Sequence, residues 1–196
     1  MNRNLWTSAA PHDWRQALEQ YPEVVARQSV AKLLELDVWY HAELPAAIAA
    51  RAPAHVTHDE LVRLAEWKMA RGVWRAPNLV LVRGNAAQDV VTVSALALSQ
   101  TPHLTRPVAT LATLAGVGPA TASAVVSAYQ PALYPFFDEL VAAQVPTHGK
   151  VVWTLGYYAN YATALRDRAL QLANGWTPAM VECALWANAG GKKGAM

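Results

Sequence analysis

The apolar positions of this chain recur at helical spacing in block after block, with strand-like content confined to one short stretch. Trp14, Leu18 and Tyr21 share one face behind Asp13, an aspartate suited to capping a first helix. Pro22 interrupts that helix, and residues 23–40 read as a second one, with Leu33, Leu34 and Val38 turned inward. Pro45 opens a third, which ends before Pro53. Thr57 followed by Glu60 forms a capping box. The helix behind it sets Leu61, Leu64, Ala65 and Lys68 or Met69 at helical spacing and stops at Gly72.

Residues 79–82 and 90–93 carry the β-branched content of a short strand pair. The Ala and Leu content of 86–100 favours helix there instead. Downstream, residues 106–115, 119–129, 138–145, 156–172 and 178–187 read as helices. Asn174-Gly175 closes the fourth of these, and Thr177 caps the last. The pattern predicts an all-α domain over residues 1–189, with 190–196 a flexible tail.

At 54% hydrophobic and 15% charged residues, the chain can bury a large core. Its net charge of +2 is too small to make the whole surface attractive to an anion. A nucleic-acid face would need local clustering of its 16 Lys and Arg. The single cysteine, Cys183, permits no internal disulfide, cysteine-based zinc site or iron–sulfur cluster, and it reads as inert packing. His55 and His58 read as a surface pair, so no metal held by side chains is expected. Residues 107–137 lack any charge, but Pro119, Pro131, Pro135 and the Gly116-Val117-Gly118 run break them into a buried hairpin, not a membrane span. No secretory pattern opens the chain, and an intracellular location is expected.

The most informative stretch is 111–125. Leu111 and Leu114 end one helix, and Gly116 and Gly118 allow a tight turn. Val117 plugs the angle between helices, while Pro119 stands where a missing N–H costs nothing. Such a turn aims bare backbone N–H groups of Gly118, Pro119's neighbours Ala120 and Thr121, and the helix they open at solvent. That geometry can hold a phosphate with no charged side chain. An ordinary helical corner would look the same on these residues alone.

Residues 111–125 resemble the helix-hairpin-helix signature, Leu-x-x-Leu-x-Gly-Val-Gly-x-x-Thr-Ala, of the HhH-GPD DNA glycosylase superfamily. A Pro-containing stretch, 130–137, and then Asp138 follow as in that superfamily. The position of the lysine in bifunctional members is Ala120 here, and the interval to the aspartate is 138 − 120 = 18 residues, as in those members. Residues 66–72, 116–124 and 135–139 look more closely like a branch lacking the iron–sulfur cluster.

The resemblance implies a two-lobed fold. One lobe is built from both termini, about 1–35 and 131–189, and beside it lies a middle helical barrel, about 36–130. It implies double-stranded DNA as partner, a monomer, no cofactor beyond a monovalent cation at the hairpin carbonyls, and a DNA N-glycosylase. The hairpin residues would be Gly116, Val117, Gly118, Pro119, Ala120 and Thr121. Asp138 would be the catalytic carboxylate, with Glu139 as its alternate should the register slip by one residue. Because Ala120 has no amine, the enzyme would be monofunctional and use water. A non-catalytic DNA-binding or repair-scaffold protein is the other reading of the same features. Asp138 would in either case suit a helix N-cap.

Lys68, Arg71 and Arg75, interleaved with Trp67 and Trp74, form a candidate basic rim. Trp153 and Tyr157 are candidates for a pocket holding an extruded base, although Tyr157 and Tyr161, four apart, equally suit a core face.

Overall fold

Every regular element in the computed structural model, which describes residues 4–146, 149–173 and 175–194, is helical. Helix α1 (Pro11–Glu19) begins on proline, with Ala10 as its unassisted N-cap. Asp13 therefore does not cap it; its carboxylate accepts a hydrogen bond from Ser8 Oγ at 2.6 Å. The expected helix over 23–40 is broken. Helix α2 covers Tyr21–Arg27 and α3 covers Leu33–Val38. Between them Ser29 and Lys32 take φ values of +54° and +63°, left-handed conformations that a helix cannot continue through. This break rotates α3 away from the expected face. Leu33 and Leu36 are buried, whereas Leu34 and Val38 lie exposed.

A π-helical turn, Trp39–Glu43, joins α3 to α4 (Leu44–Ala49). Its wider winding buries both Trp39 and Tyr40. Tyr40 then donates to the carbonyl of Ala124 at 2.9 Å and stacks on Trp67 with ring centroids 3.6 Å apart. Helix α5 (His58–Arg71) carries the full Thr57–Glu60 capping box and ends at Gly72, as its sequence indicates. Residues 79–82 lie within α6 (Ala76–Arg83) and 90–93 within α7 (Ala87–Ser99), so the strand alternative falls. Helices α8 (Arg106–Leu111) and α9 (Pro119–Tyr129) flank the glycine turn. Helix α10 (Glu139–Ala142) is a single turn; α11 (Leu155–Leu172) and α12 (Pro178–Asn188) complete the main set. Asn174, read above as part of a helix stop, lies outside the described residues.

Two packing centres emerge. Helix α12 packs on α1, α2, α10 and α11, so both ends of the chain meet on it. Helix α5 packs on α3, α6, α7 and α9. One continuous apolar core runs through both groups, with Trp14, Trp67 and Trp186 fully buried. Of the tail expected over 190–196, residues 195–196 lie outside the described residues. Gln28 Nε2 donates to the Gly190 carbonyl at 3.0 Å, and Gly191 opens a short helix, α13 (Gly191–Gly194). No helix among the described residues is long and apolar enough to cross a membrane.

Candidate functional site

The turn between α8 and α9 needs its two glycines for different reasons. Gly116 has φ +74°, and a Cβ there would come within 2.6 Å of the Asn78 carbonyl and 2.9 Å of Leu81 Cβ. Gly116 is thus the close-approach point of the hairpin against α6. Gly118 is the extended N-cap of α9, and a Cβ on it would meet nothing within 4 Å. Val117 is buried as the expected plug, and its N–H donates to the Leu114 carbonyl at 3.1 Å. Ala120 and Thr121 are buried by their side chains at the start of α9. Asn85 clamps the turn from across the chain, with Nδ2 donating to the Ala115 carbonyl and Oδ1 accepting from the Ala115 N–H, both at 2.9 Å. The carbonyls of Leu114 and Ala115 each accept one protein hydrogen bond and keep a second lone pair.

Asp138 is fixed by both of its oxygens. Oδ1 accepts from the backbone N–H of Leu140 at 2.8 Å and Val141 at 3.3 Å, the N-cap arrangement expected of an aspartate before a helix. Oδ2 stands 3.8 Å from Arg71 Nε. The strand-like run before it is held by Ser123 of α9, whose Oγ accepts from the Phe137 N–H at 2.9 Å. Tyr161 adds a hydrogen bond to the Phe136 carbonyl at 2.7 Å. Asp138 is 6% exposed, and its position comes from α9, α10 and α11 together.

Arg71 belongs to this buried group and not to the rim. Only 1% exposed, it donates from Nη2 to Glu182 Oε1 at 2.6 Å. The rings of Trp186, Phe136, Trp67 and Tyr21 surround its guanidinium, with centroids 4.6–5.5 Å away. One buried cation therefore faces two carboxyls. With both ionised, the group would carry a net negative charge out of water, so retaining a proton is favourable. Burial pushes Glu182 up to about 7, against the pull of Arg71. Burial likewise holds Asp138 above the ordinary carboxylate range, although Arg71, the two backbone N–H groups and Lys68 oppose it.

Asp138 also lines a surface cleft of about 100 Å³. Lys68, Arg75, Phe137, Glu139, Trp153 and Lys192 line it with Asp138. The cleft is smaller than small-molecule pockets of roughly 300–1,000 Å³, so it would admit one edge of a ligand without rearrangement. Lys68 stands in the last turns of α5, and burial followed by the nearby Arg75 lowers its pKa, against the pull of Asp138. Trp153, 40% exposed, lies over Phe137 with ring centroids 4.8 Å apart. Trp74, 54% exposed, stands between the cleft residues Val73 and Arg75.

The structure thus brings Lys68, Arg75, Asp138, Glu139 and Trp153 to one place. It leaves Arg71 beneath that place, Tyr157 stacked on Phe137 in the core, and the hairpin residues outside the cleft lining. Sequence reasoning missed Glu182, Lys192 and Asn85. Glu182 had a weak signal, an acid in an otherwise apolar helix, which demands a buried partner. Lys192 and Asn85 had none. No family model, curated protein or solved structure matches the chain.

Proposed function

We propose that this protein binds double-stranded DNA through a helix-hairpin-helix turn and excises a damaged or mismatched base, hydrolysing its N-glycosidic bond at Asp138. The observation that carries the reading is a buried, doubly anchored carboxyl opening onto a cleft rimmed by Lys68, Arg75 and Lys192. The two packing centres on α5 and α12 agree with the two-lobed HhH-GPD arrangement, in which such a carboxyl lies between lobes.

Cutting the bond builds positive charge on the sugar as the base leaves. A carboxylate held in place before the reaction stabilises that charge without reorganising, and it can orient the attacking water. The N-cap bonds and Arg71 fix Asp138 against rotation. Ala120 leaves the hairpin without an amine, so water is the nucleophile for excision. The rim cations meet the phosphates that flank an extruded nucleotide, while Trp153 and Trp74 offer exposed faces for stacking. A monomer is sufficient for these roles.

The test is a panel of duplex oligonucleotides, each with one lesion or mismatch, incubated with protein and then treated with alkali. At least one duplex should break at the modified position only after alkali or heat. Binding to every duplex with no cleavage of any would favour the non-catalytic DNA-binding protein instead.

A further inference from the structure

The buried charge group meets two different openings. At one end Asp138 lines the cleft. At the other, Glu182 lines a separate cavity of about 60 Å³ with Tyr40, His41, Ser127, Phe136 and Cys183, of which only Phe136 also lines the cleft. That space is wide enough for water. His41 and Cys183 also line an open groove of about 660 Å³, and the His41 side chain is 40% exposed. Arg71 spans the two carboxyls. Its Nη2 donates to Glu182 Oε1 at 2.6 Å, while its Nε stands 3.8 Å from Asp138 Oδ2, beyond hydrogen-bond reach. Nε and Nη1 make no hydrogen bond among the described residues. The cation is thus held first by Glu182, and the charge it has left for Asp138 depends on whether Glu182 carries a proton. The other titratable groups near Glu182 are Tyr21 of α2, Tyr40 and His41 of the π-helical turn, Tyr161 of α11 and Cys183 beside it. Burial raises the tyrosines and the thiol and lowers His41, so all are neutral near pH 7. Asp37 of α3 accepts from Tyr21 and Trp67 at 2.8 and 2.9 Å. Arg166 and Arg168 of α11 donate to backbone carbonyls, and α1 buries Trp14 and Ala17 but no titratable side chain. Glu139 of α10 and Lys192 of α13 lie exposed at the cleft, where Lys68 also faces Asp138.

We propose that Glu182 is a positioning residue of the cleft: its proton, exchanged through the cavity behind it, decides how much of the Asp138 negative charge faces the cleft. The consequence for chemistry rests on the reading of Asp138 as the catalytic carboxylate. With Glu182 protonated, Arg71 has one anion to balance, and the charge of Asp138 is offset by that cation. With Glu182 ionised, Arg71 is balanced by the carboxylate it bonds, and the Asp138 charge stands uncompensated beside the sugar. A developing sugar cation is stabilised more in the second state. Burial places the change of Glu182 at about 7, against the pull of Arg71. Excision therefore quickens as pH rises through that value. The gain should be about 10-fold, the scale of one unit charge roughly a nanometre away at an effective dielectric of about 20.

The experiment has two arms, both on the full chain. The first follows single-turnover excision of a lesion duplex the wild type attacks, from about pH 6 to about pH 8, either side of the Glu182 change. The wild-type rate should rise about 10-fold over that range. Glu182→Gln keeps an oxygen for Arg71 but cannot ionise, so its profile should stay flat. A glutamate with a structural role alone would leave the shape of the profile intact. An unchanged rise in Glu182→Gln would overturn the inference and leave excision at Asp138 standing. The second arm needs neither excision nor a folded Glu182 variant. Isotope-edited NMR of the side-chain carboxyls should show Glu182 changing near pH 7, with a matching step at Asp138. Asp138→Asn should move the Glu182 change to lower pH, because an anion that opposed its ionisation is gone. Excision of no lesion, with both of these shifts present, would overturn the excision reading and leave the coupling through Arg71. Independent titration of the two carboxyls, with no Glu182 shift in Asp138→Asn, would overturn the inference whether or not any base is excised.

Discussion

The hairpin turn and the cleft make opposite demands on the chain. The turn draws its shape from consecutive residues, 114–119, with one distant clamp at Asn85. The cleft draws its lining from four separated stretches, 68–75, 136–140, 153 and 192. In the turn each residue type answers a local backbone requirement. In the cleft, Asp138 owes its setting to Arg71 on α5 and, through Arg71, to Glu182 on α12. The comparison teaches that the hairpin takes most of its shape from neighbouring residues, with support from Asn85 and α6, while the cleft depends on a buried charge group that links both packing centres.

The sharpest way to break this contrast is Arg71→Met. Methionine keeps most of the volume but leaves two buried carboxyls facing each other without their cation. The expected loss is about 3–5 kcal/mol of folding stability, the scale for removing one partner of a buried ion group. A urea midpoint equal to that of the wild type would show that Arg71 does not tie α5 to α12.

Within the hairpin, the two glycines should respond differently. Gly116→Ala forces a Cβ against the Asn78 carbonyl at a left-handed φ, costing about 1–3 kcal/mol in backbone strain and a similar amount in overpacking. Gly118→Asp meets no neighbour and should leave stability nearly unchanged. It should weaken duplex binding by about 1–3 kcal/mol, by setting a negative charge where the phosphate would sit. Wild-type affinity in folded Gly118→Asp would reduce the hairpin to a structural corner. Equal melting of Gly116→Ala and wild type would remove the close contact with α6 from the account.

The buried charge group also sets a pH dependence. In the folded protein Glu182 holds its proton up to about pH 7, against an ordinary value of 4.5. The folded state therefore binds more protons between those values, and stability falls as pH rises from about 4.5 to 7. Asp138, raised by the same burial, adds a fall of the same sign. Glu182→Gln does not titrate and should flatten part of the fall, read as urea midpoints at pH 5 and 7.5, conditions set on either side of most of that window. An unchanged slope would place the buried proton elsewhere.

How much was legible beforehand follows from the same contrast. The capping box at Thr57–Glu60, the start of α9 at Pro119 and the N-cap role of Asp138 were readable because each depends on residues within one helical turn. The break at 28–32 was not. Neither Ser29 nor Lys32 is a residue that favours a left-handed conformation, so no local signal marks the break. Arg71 was misplaced for a related reason. An arginine at a helix end beside Lys68 and Arg75 has the local pattern of a solvated rim. Only the distant Glu182, with four aromatic rings, makes its burial affordable. Trp67 and Trp74 illustrate the same limit, since one stacks in the core on Tyr40 and the other stands exposed beside the cleft.

The central claim is that the Asp138 carboxylate does chemistry in this cleft, and Asp138→Asn tests it most directly. Asparagine keeps the size of the side chain and a carbonyl oxygen to cap α10, but it lacks the charge that a developing sugar cation needs. The measurement is single-turnover base excision on a lesion duplex the wild type attacks, paired with the affinity of both proteins for that duplex. The account expects unchanged binding and a rate lower by at least ~100-fold, the scale of a positioned acid–base or electrostatic group. Equal excision rates in the two proteins would contradict it and move the chemistry to Glu139 or out of the cleft.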